Sequence, residues 1–279
     1  MIDIFAASTG VPLSAEPVFE FFGLVITNSM FTGVIVGFLV LWLFALAARH
    51  TAVRPVNKFS FAIESFVGIV LDIVEQNFGD RKKALKFLPL LLTLFTFILF
   101  SNLVGLIPGV GTFNVTTDDG VSPLLRPFTS DLNGTLALAV LTIGTVQVAA
   151  IRERGFKKHI LHYFMNNPLN PMNLFIGLIE IMGEFIRILT LSMRLFGVIY
   201  AGEVLLHVIG DLAGNLGPIA TLPVYVLEIF FSFIQAYVFM LLSTVYLAMA
   251  TSHDDESHPS DDHLPELTPL TSTGGGAKV

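Results

Sequence analysis

Apolar runs long enough to cross a bilayer alternate along this chain with short polar segments, and the alternation predicts an all-α, polytopic membrane fold. A crossing helix needs about 20 apolar residues, and runs of that order occupy 26–48, 87–107 and 132–150. Two further runs are too long to stand upright. If helical at about 1.5 Å per residue, 172–209 extends about 57 Å and 219–250 about 48 Å, against a hydrocarbon thickness of about 30 Å. The first must therefore break at one of its glycines (Gly177, Gly183, Gly197 or Gly202) or lie well beyond the usual tilt of about 20°. The segment 59–78 is different in kind. Its carboxylates Glu64, Asp72 and Glu75 share one sector of a helical wheel beside a broad apolar face, which predicts an interfacial helix, lying along the membrane or against the spans. The expected organisation is one membrane domain over 1–250 with five crossings, the last two forming a hairpin of over-long, steeply tilted helices. A tail, 251–279, follows. It is acidic, contains His253, His258 and His263 and has no apolar period, so it reads as disordered and without a functional metal site.

Composition agrees with the pattern. The chain has 279 residues, 53% of them hydrophobic and only 13% charged, where soluble domains carry about a quarter charged residues; its mean hydropathy is +0.76. It has no cysteine, which excludes disulfides, thiolate metal sites and cysteine nucleophiles. The net charge of −7 is misleading, because the tail holds Asp254, Asp255, Glu256, Asp261, Asp262 and Glu266 of the 22 acidic residues. The first residues lack both a basic signal region and the arginine-rich pattern of a transit peptide, and the reading takes them as mature sequence.

The basic residues orient the chain. Arg49, Arg54, Lys58, Arg81, Lys82, Lys83 and Lys86 follow the first run, and Arg152, Arg154, Lys157 and Lys158 follow the third; together they are eleven of the 15 Lys and Arg. Arg126 is the one basic residue in the intervening loop. By the positive-inside rule both basic loops face the cytoplasm, or the matrix of an organelle, which places the N-terminus outside and the C-terminus inside.

The candidate chemistry lies in the long run 172–209, where Glu180, Glu184, Arg187, Arg194 and Glu203 stand in an otherwise apolar stretch. An ionisable group at bilayer depth costs at least a few kcal/mol, so it faces a partner, a water-filled cavity or an ion path. Helical steps of seven put Arg194, Arg187 and Glu180 on nearly one face, while Glu203, nine residues on, points to the opposite side. Glu203, His207 and Asp211 form a ladder at four-residue spacing, and Glu228 and Gln235 share a face of the next helix about 10 Å apart along its axis. Carboxylate and histidine chains inside membranes are the usual material of proton relays. The alternative is bracing: Arg194 paired with Glu180, Glu184 or Glu228, and the ladder held by hydrogen bonds at the wet end of a hairpin. Asn102, Asp131 and Asn133 sit near the ends of the second and third runs, where they either line an aqueous vestibule or, for Asp131, cap a helix before Leu132.

The segment from Leu191 to Glu203 (LSMRLFGVIYAGE), with Pro168-Leu-Asn-Pro before it and Phe233-Ile-Gln-Ala-Tyr after it, resembles subunit a of F-type ATP synthases, and the likeness extends from Ser29 to Ala250. The resemblance implies a non-catalytic stator subunit that offers two offset half-channels to the rotating ring of c subunits, with ATP chemistry in other subunits. It makes Arg194 the essential arginine, Glu203 the carboxylate of the outer half-channel and Gln235 the glutamine near the arginine. Asn102, Asp131 and Asn133 match polar positions of the entry path. Glu228 falls where many bacterial relatives have histidine. Gly105 replaces an acidic residue seen in some relatives and Val198 the usual asparagine, so His207 and Asp211 are expected to take a share of the outer channel, and Glu180 and Glu184 to lie near the inner one. The implied partners are the c-ring, the b subunits of the peripheral stalk and membrane lipid. Neither nucleic acid, nor a cofactor or metal, nor a substrate other than H⁺ (or Na⁺) is expected. The implied location is a bacterial inner membrane, or alternatively the mitochondrial one. Two rival readings remain at this level, a secondary transporter binding an anion at Arg194 and a purely structural scaffold; the first expects an internal repeat, and none is evident.

Overall fold

The computed structural model describes residues 17–21, 24–50, 58–107, 114–117, 120–123, 126–155 and 171–251. The tail, the first residues, Pro168 and the basic positions Arg54, Lys157 and Lys158 lie outside them. The described residues form six long helices: α1 (Asn28–His50), α2 (Lys58–Phe78), α3 (Arg81–Gly105), α4 (Leu132–Arg154), α5 (Pro171–Ala213) and α6 (Leu222–Thr251). Five are long and apolar enough to cross a membrane; α2 is not among them. The chain is thus an all-α, multi-pass membrane protein in its body. Two small antiparallel hairpins accompany the helices where the sequence reading expected only a polar lead and a loop. One pairs β1 (Pro17–Phe21) with β2 (Leu24–Thr27), the other β3 (Asn114–Thr117) with β4 (Gly120–Pro123). Hydropathy is blind to two-stranded ribbons of four or five residues, which need no apolar period to close.

Local chemistry sets the helix boundaries. Gly79 at φ 66° turns the chain between α2 and α3, and Asp80 caps α3 by accepting the Lys82 amide at 2.9 Å. Asp131 caps α4, its Oδ1 accepting from the Asn133 amide at 3.1 Å, and Gly155 at φ 84° ends that helix. At the far end of the chain the Lys83 ammonium donates to the Thr251 carbonyl at 2.9 Å, satisfying one of the bare carbonyls at the terminus of α6.

The core runs where α3, α4, α5 and α6 meet. Leu91, Phe95 and Ile98 of α3, Ala139 and Val146 of α4, Leu191 and Leu195 of α5 and Phe239, Met240 and Leu247 of α6 are all buried in one cluster. On α5 the buried positions Leu191, Leu195 and Ile199 recur every four residues, the stripe turned into the bundle. Helix α2 buries Val70 and Val74 against the bundle, with Phe66 on Phe95 and Phe78 stacked on Phe87, while Glu64 and Asp72 stay exposed. It is an amphipathic helix packed against the spans.

Helix α5 does not break. It is continuous through Gly177, Gly183, Gly197 and Gly202 for 43 residues, about 65 Å at helical rise. A short turn and a single helical turn, Gly217–Ala220, reverse the chain into α6. The two helices run antiparallel: Arg187 lies over the Tyr246 ring at 5.5 Å, Gly202 meets Glu228, and Gly210 meets Thr221 and Gly217. Much of this hairpin's apolar surface faces outward, including Ile179, Phe185, Leu189, Phe230 and Phe233.

Candidate functional site

Between β4 and α4 the chain passes back into the helix bundle. Residues 126–131 contain one turn of 3-10 helix, Phe128–Ser130, which touches α1, α3, α4 and α5. Glycines admit it. A Cβ on Gly33 of α1 would meet the Phe128 ring at 2.5 Å, and one on Gly134 of α4 would meet the Phe128 carbonyl oxygen at 2.6 Å. A Cβ on Gly105 would collide with the Pro127 ring. The glycine that stands where some relatives carry an acid is thus required here by Pro127, and an acidic side chain at 105 has no room.

This inserted segment carries the polar network. Asn102 is buried on α3; its Oδ1 accepts from the Thr129 hydroxyl at 2.5 Å and its Nδ2 reaches the Ser232 carbonyl of α6 at 3.5 Å. Asp131 is buried too, and beyond capping α4 it accepts from the Ser29 hydroxyl at 2.8 Å. The hydroxyls of Thr135 and Ser192 lie 3.1 Å apart, joining α4 to α5. The Arg126 amide donates to Thr32 Oγ1 at 3.2 Å.

Arg126 itself is the principal residue that the sequence reading passed over as a site residue. Its side chain is 2% exposed; its Nη2 donates to Glu203 Oε2 at 3.4 Å, a charge-assisted hydrogen bond, and its Nε lies 3.4 Å from Oε1 as an ion pair without hydrogen-bond geometry. Its signal in the sequence was that it is the sole basic residue in a loop that the positive-inside rule leaves nearly bare of positive charge. Glu228 of α6 completes the group. It is buried, its Oε1 lies against Gly202, one residue before Glu203, and its Oε2 has no hydrogen-bond partner among the described residues. Glu203 and Glu228 are near enough to repel when both are charged. One buried guanidinium and two carboxylates from three separate elements therefore meet at this end of the hairpin.

The other predicted residues are placed as follows. His207 and Asp211 are exposed; the His207 Nδ1 lies 2.8 Å from the Glu203 carbonyl oxygen of its own helix, a contact with backbone rather than with the Glu203 carboxylate. Asn133, the second residue of α4, is exposed. Toward the opposite end of α5, Glu184 pairs with Arg187 at 2.6 Å and Glu180 is partly buried.

Arg194 stands apart from all of these. It is the 24th residue of the 43 in α5, is exposed, and makes no ion pair or side-chain hydrogen bond among the described residues. The bracing alternative, Arg194 tied to Glu180, Glu184 or Glu228, is not what the chain does. The hairpin register brings the buried Gln235 to nearly the same level on α6. Around Arg194 the outward surface of α5 is apolar, with Leu189, Met193 and Leu205 exposed.

The family model for the ATP synthase A chain matches residues 30–248. The ATP synthase subunit a of Campylobacter jejuni subsp. jejuni serotype O:23/36 is 38% identical over 191 residues, covering 67% of this chain and 74% of that protein. That of Geotalea uraniireducens is 37% identical over 211 residues, 75% and 81% of the two chains, and that of Aliivibrio salmonicida is 32% identical over 237 residues, 83% and 85%. A family match over most of the chain, on a body of five membrane-length helices with ionisable groups buried among them, means that this chain belongs to the subunit a family of F-type ATP synthases, in their membrane-embedded, proton-translocating sector.

Proposed function

We propose that this chain is the proton-translocating stator subunit of a rotary F-type ATP synthase, with two offset half-channels that open onto a ring of c subunits and Arg194 between them. The observation that carries the reading is the state of Arg194: an exposed guanidinium, halfway along an apolar helix, without an ion partner among the described residues. A cation left bare in hydrocarbon costs several kcal/mol. A carboxylate arriving from a second protein removes that cost, and the surrounding apolar face of α5 suits a hydrophobic partner.

Protons enter at the Arg126 end of the bundle, through a vestibule lined by Asn102, Asp131, Asn133, Glu203 and Glu228, with His207 and Asp211 at its mouth. They neutralise a ring carboxylate in trans. Once neutral, that carboxylate can turn through lipid without the charge penalty, and it releases its proton to the inner half-channel near Glu180 and Glu184. Arg194 carries a guanidinium that stays charged in proteins, so it favours the deprotonated carboxylate and prevents protons from passing directly between the channels. Gln235 shares its level and helps to orient it. Each proton gains about 2.3 kcal/mol per 100 mV of membrane potential. In a bacterial inner membrane the basic loops after α1 and α4 face the cytoplasm, and the b subunits of the peripheral stalk hold the subunit still. The ion is H⁺ here, with Na⁺ an outcome that the ring's own carboxylate site decides.

The test is Arg194→Ala in the assembled complex, reading ATP synthesis driven by an imposed proton gradient. The expected result is loss of synthesis with assembly intact; synthesis near the wild-type rate would overturn the reading. A secondary transporter would instead show substrate uptake by this protein alone in liposomes.

A further inference from the structure

Two carboxylates at the Arg126 end of the hairpin pose a question of division of labour. They differ in surroundings. Glu203 faces a guanidinium whose position is over-determined: Arg126 is 2% exposed, its amide is held by Thr32, and it begins the segment that Phe128 wedges among four helices. Both Glu203 oxygens lie 3.4 Å from that guanidinium. Glu228 is held only by packing. One of its oxygens rests on Gly202, and the other is buried with no hydrogen-bond partner among the described residues. A carboxylate that accepts a hydrogen bond from a buried arginine and forms an ion pair with it gives up that charge-assisted contact each time it takes a proton. A carboxylate with an open oxygen gives up nothing comparable.

We propose that Arg126 is a positioning residue that holds Glu203 as a fixed counter-ion, so that Glu228 is the one carboxylate of the pair that takes up and passes on the proton. The inference rests on the proposed function, and it reassigns the work within it: Glu203 sets the local charge and Glu228 carries. A proton arriving from the aqueous side adds to the Glu228 carboxylate, and the same proton leaves it for the ring carboxylate, so the site returns to its starting charge each cycle. Arg126 touches neither the ring nor the moving proton. The charged neighbours that bear on this site are Arg126, from the inserted segment, Glu203, from α5, and Asp131, which is engaged by Ser29 and the start of α4; His207, one turn on, faces outward.

The experiment measures gradient-driven proton flux in membranes holding the assembled complex. Arg126→Gln alone is expected to lower flux at least tenfold, because Glu203 is left as an uncompensated, half-buried charge beside Glu228. Arg126→Lys should recover part of it. The double variant Arg126→Gln/Glu203→Gln, which removes both charges together, should return flux to within about threefold of wild type. Glu228→Gln should abolish flux alone and in that double background. A double variant no better than Arg126→Gln, with assembly intact, would overturn the proposal, as would flux persisting in Glu228→Gln. Arg194→Ala run alongside separates the two claims: if it blocks flux while the double variant fails to recover, the subunit's function stands and the role of Arg126 does not. A Glu203→Gln single variant supplies a second route should Arg126→Gln fail to assemble: it is expected to retain more flux than Glu228→Gln, and the reverse order would overturn the assignment.

Discussion

Gly202 of α5 lies against the Glu228 carboxylate of α6, and replacing it by alanine tests the packing on which the proposed site depends. A Cβ there would stand 2.5 Å from Glu228 Oε1, 2.9 Å from its Cδ and 3.3 Å from its Cγ. Real Cβ contacts under 3.0 Å do not occur, so the carboxylate must retreat by at least about 0.5 Å, and the whole end of the side chain moves with it. Overpacking of this kind costs about 1–3 kcal/mol, while alanine in place of glycine returns about 1 kcal/mol of helix propensity. The net loss, about 0–2 kcal/mol, leaves assembly intact. Function is more sensitive than stability, because a displacement of about 1 Å in a group that must meet its partner can cost about 10²-fold. We expect Gly202→Ala to lower proton-driven ATP synthesis about tenfold, with the amount of assembled complex unchanged. Gly37→Ala, where an added Cβ meets nothing within 4 Å, should leave synthesis at the wild-type rate. Shortening the obstructing side chain, in Gly202→Ala/Glu228→Asp, should recover activity relative to Gly202→Ala. Wild-type synthesis by Gly202→Ala would refute the reasoning, since it would mean that Glu228 does not rest on α5 when the complex works.

Gly105→Asp, which restores the acid found in some relatives, should fail to accumulate in membranes unless Pro127 is also changed, because the new side chain collides with that ring; immunoblotting of single and double variants decides it. Lys83→Met removes the ammonium that caps the Thr251 carbonyl and should cost about 0.5–1.5 kcal/mol, seen as a modest fall in the complex's thermal midpoint with flux per assembled complex unchanged.

The spans were legible because the signal that defines them, 20 or so apolar residues, is local and strong. The over-long helices were legible by arithmetic on rise per residue, although only the structure decided that α5 runs unbroken through four glycines. Two of those, Gly183 and Gly197, have open space where a side chain would be, and Gly202 is occupied by Glu228; none is a hinge. Arg194 was legible as a charge that lipid would not tolerate; that no partner for it stands among the described residues became visible only once Glu180, Glu184 and Glu228 had been placed. The Glu203–His207–Asp211 ladder shows the limit of periodicity. Spacing by fours correctly assigns a face but not what that face meets: Glu203 meets Arg126, 77 residues away, whereas His207 and Asp211 look outward. Arg126 escaped notice for the same reason. Its segment has the composition of a surface loop, and the features that bury it, two small glycines and a wedge-like Phe128, lie on three different elements.

The continuity of α5 has a mechanical meaning as well. If a rotor runs against this helix, each step applies a sideways load near Arg194, in the middle of a beam about 65 Å long. A hinge at any of the four glycines would turn that load into bending and let the arginine follow its moving partner. An unbroken rod, fastened along one side by Leu191, Leu195 and Ile199 and clamped by α6 along much of its length, spreads the load into the bundle and yields little. A stator must do that: the stiffness of one helix keeps the slip of the motor small.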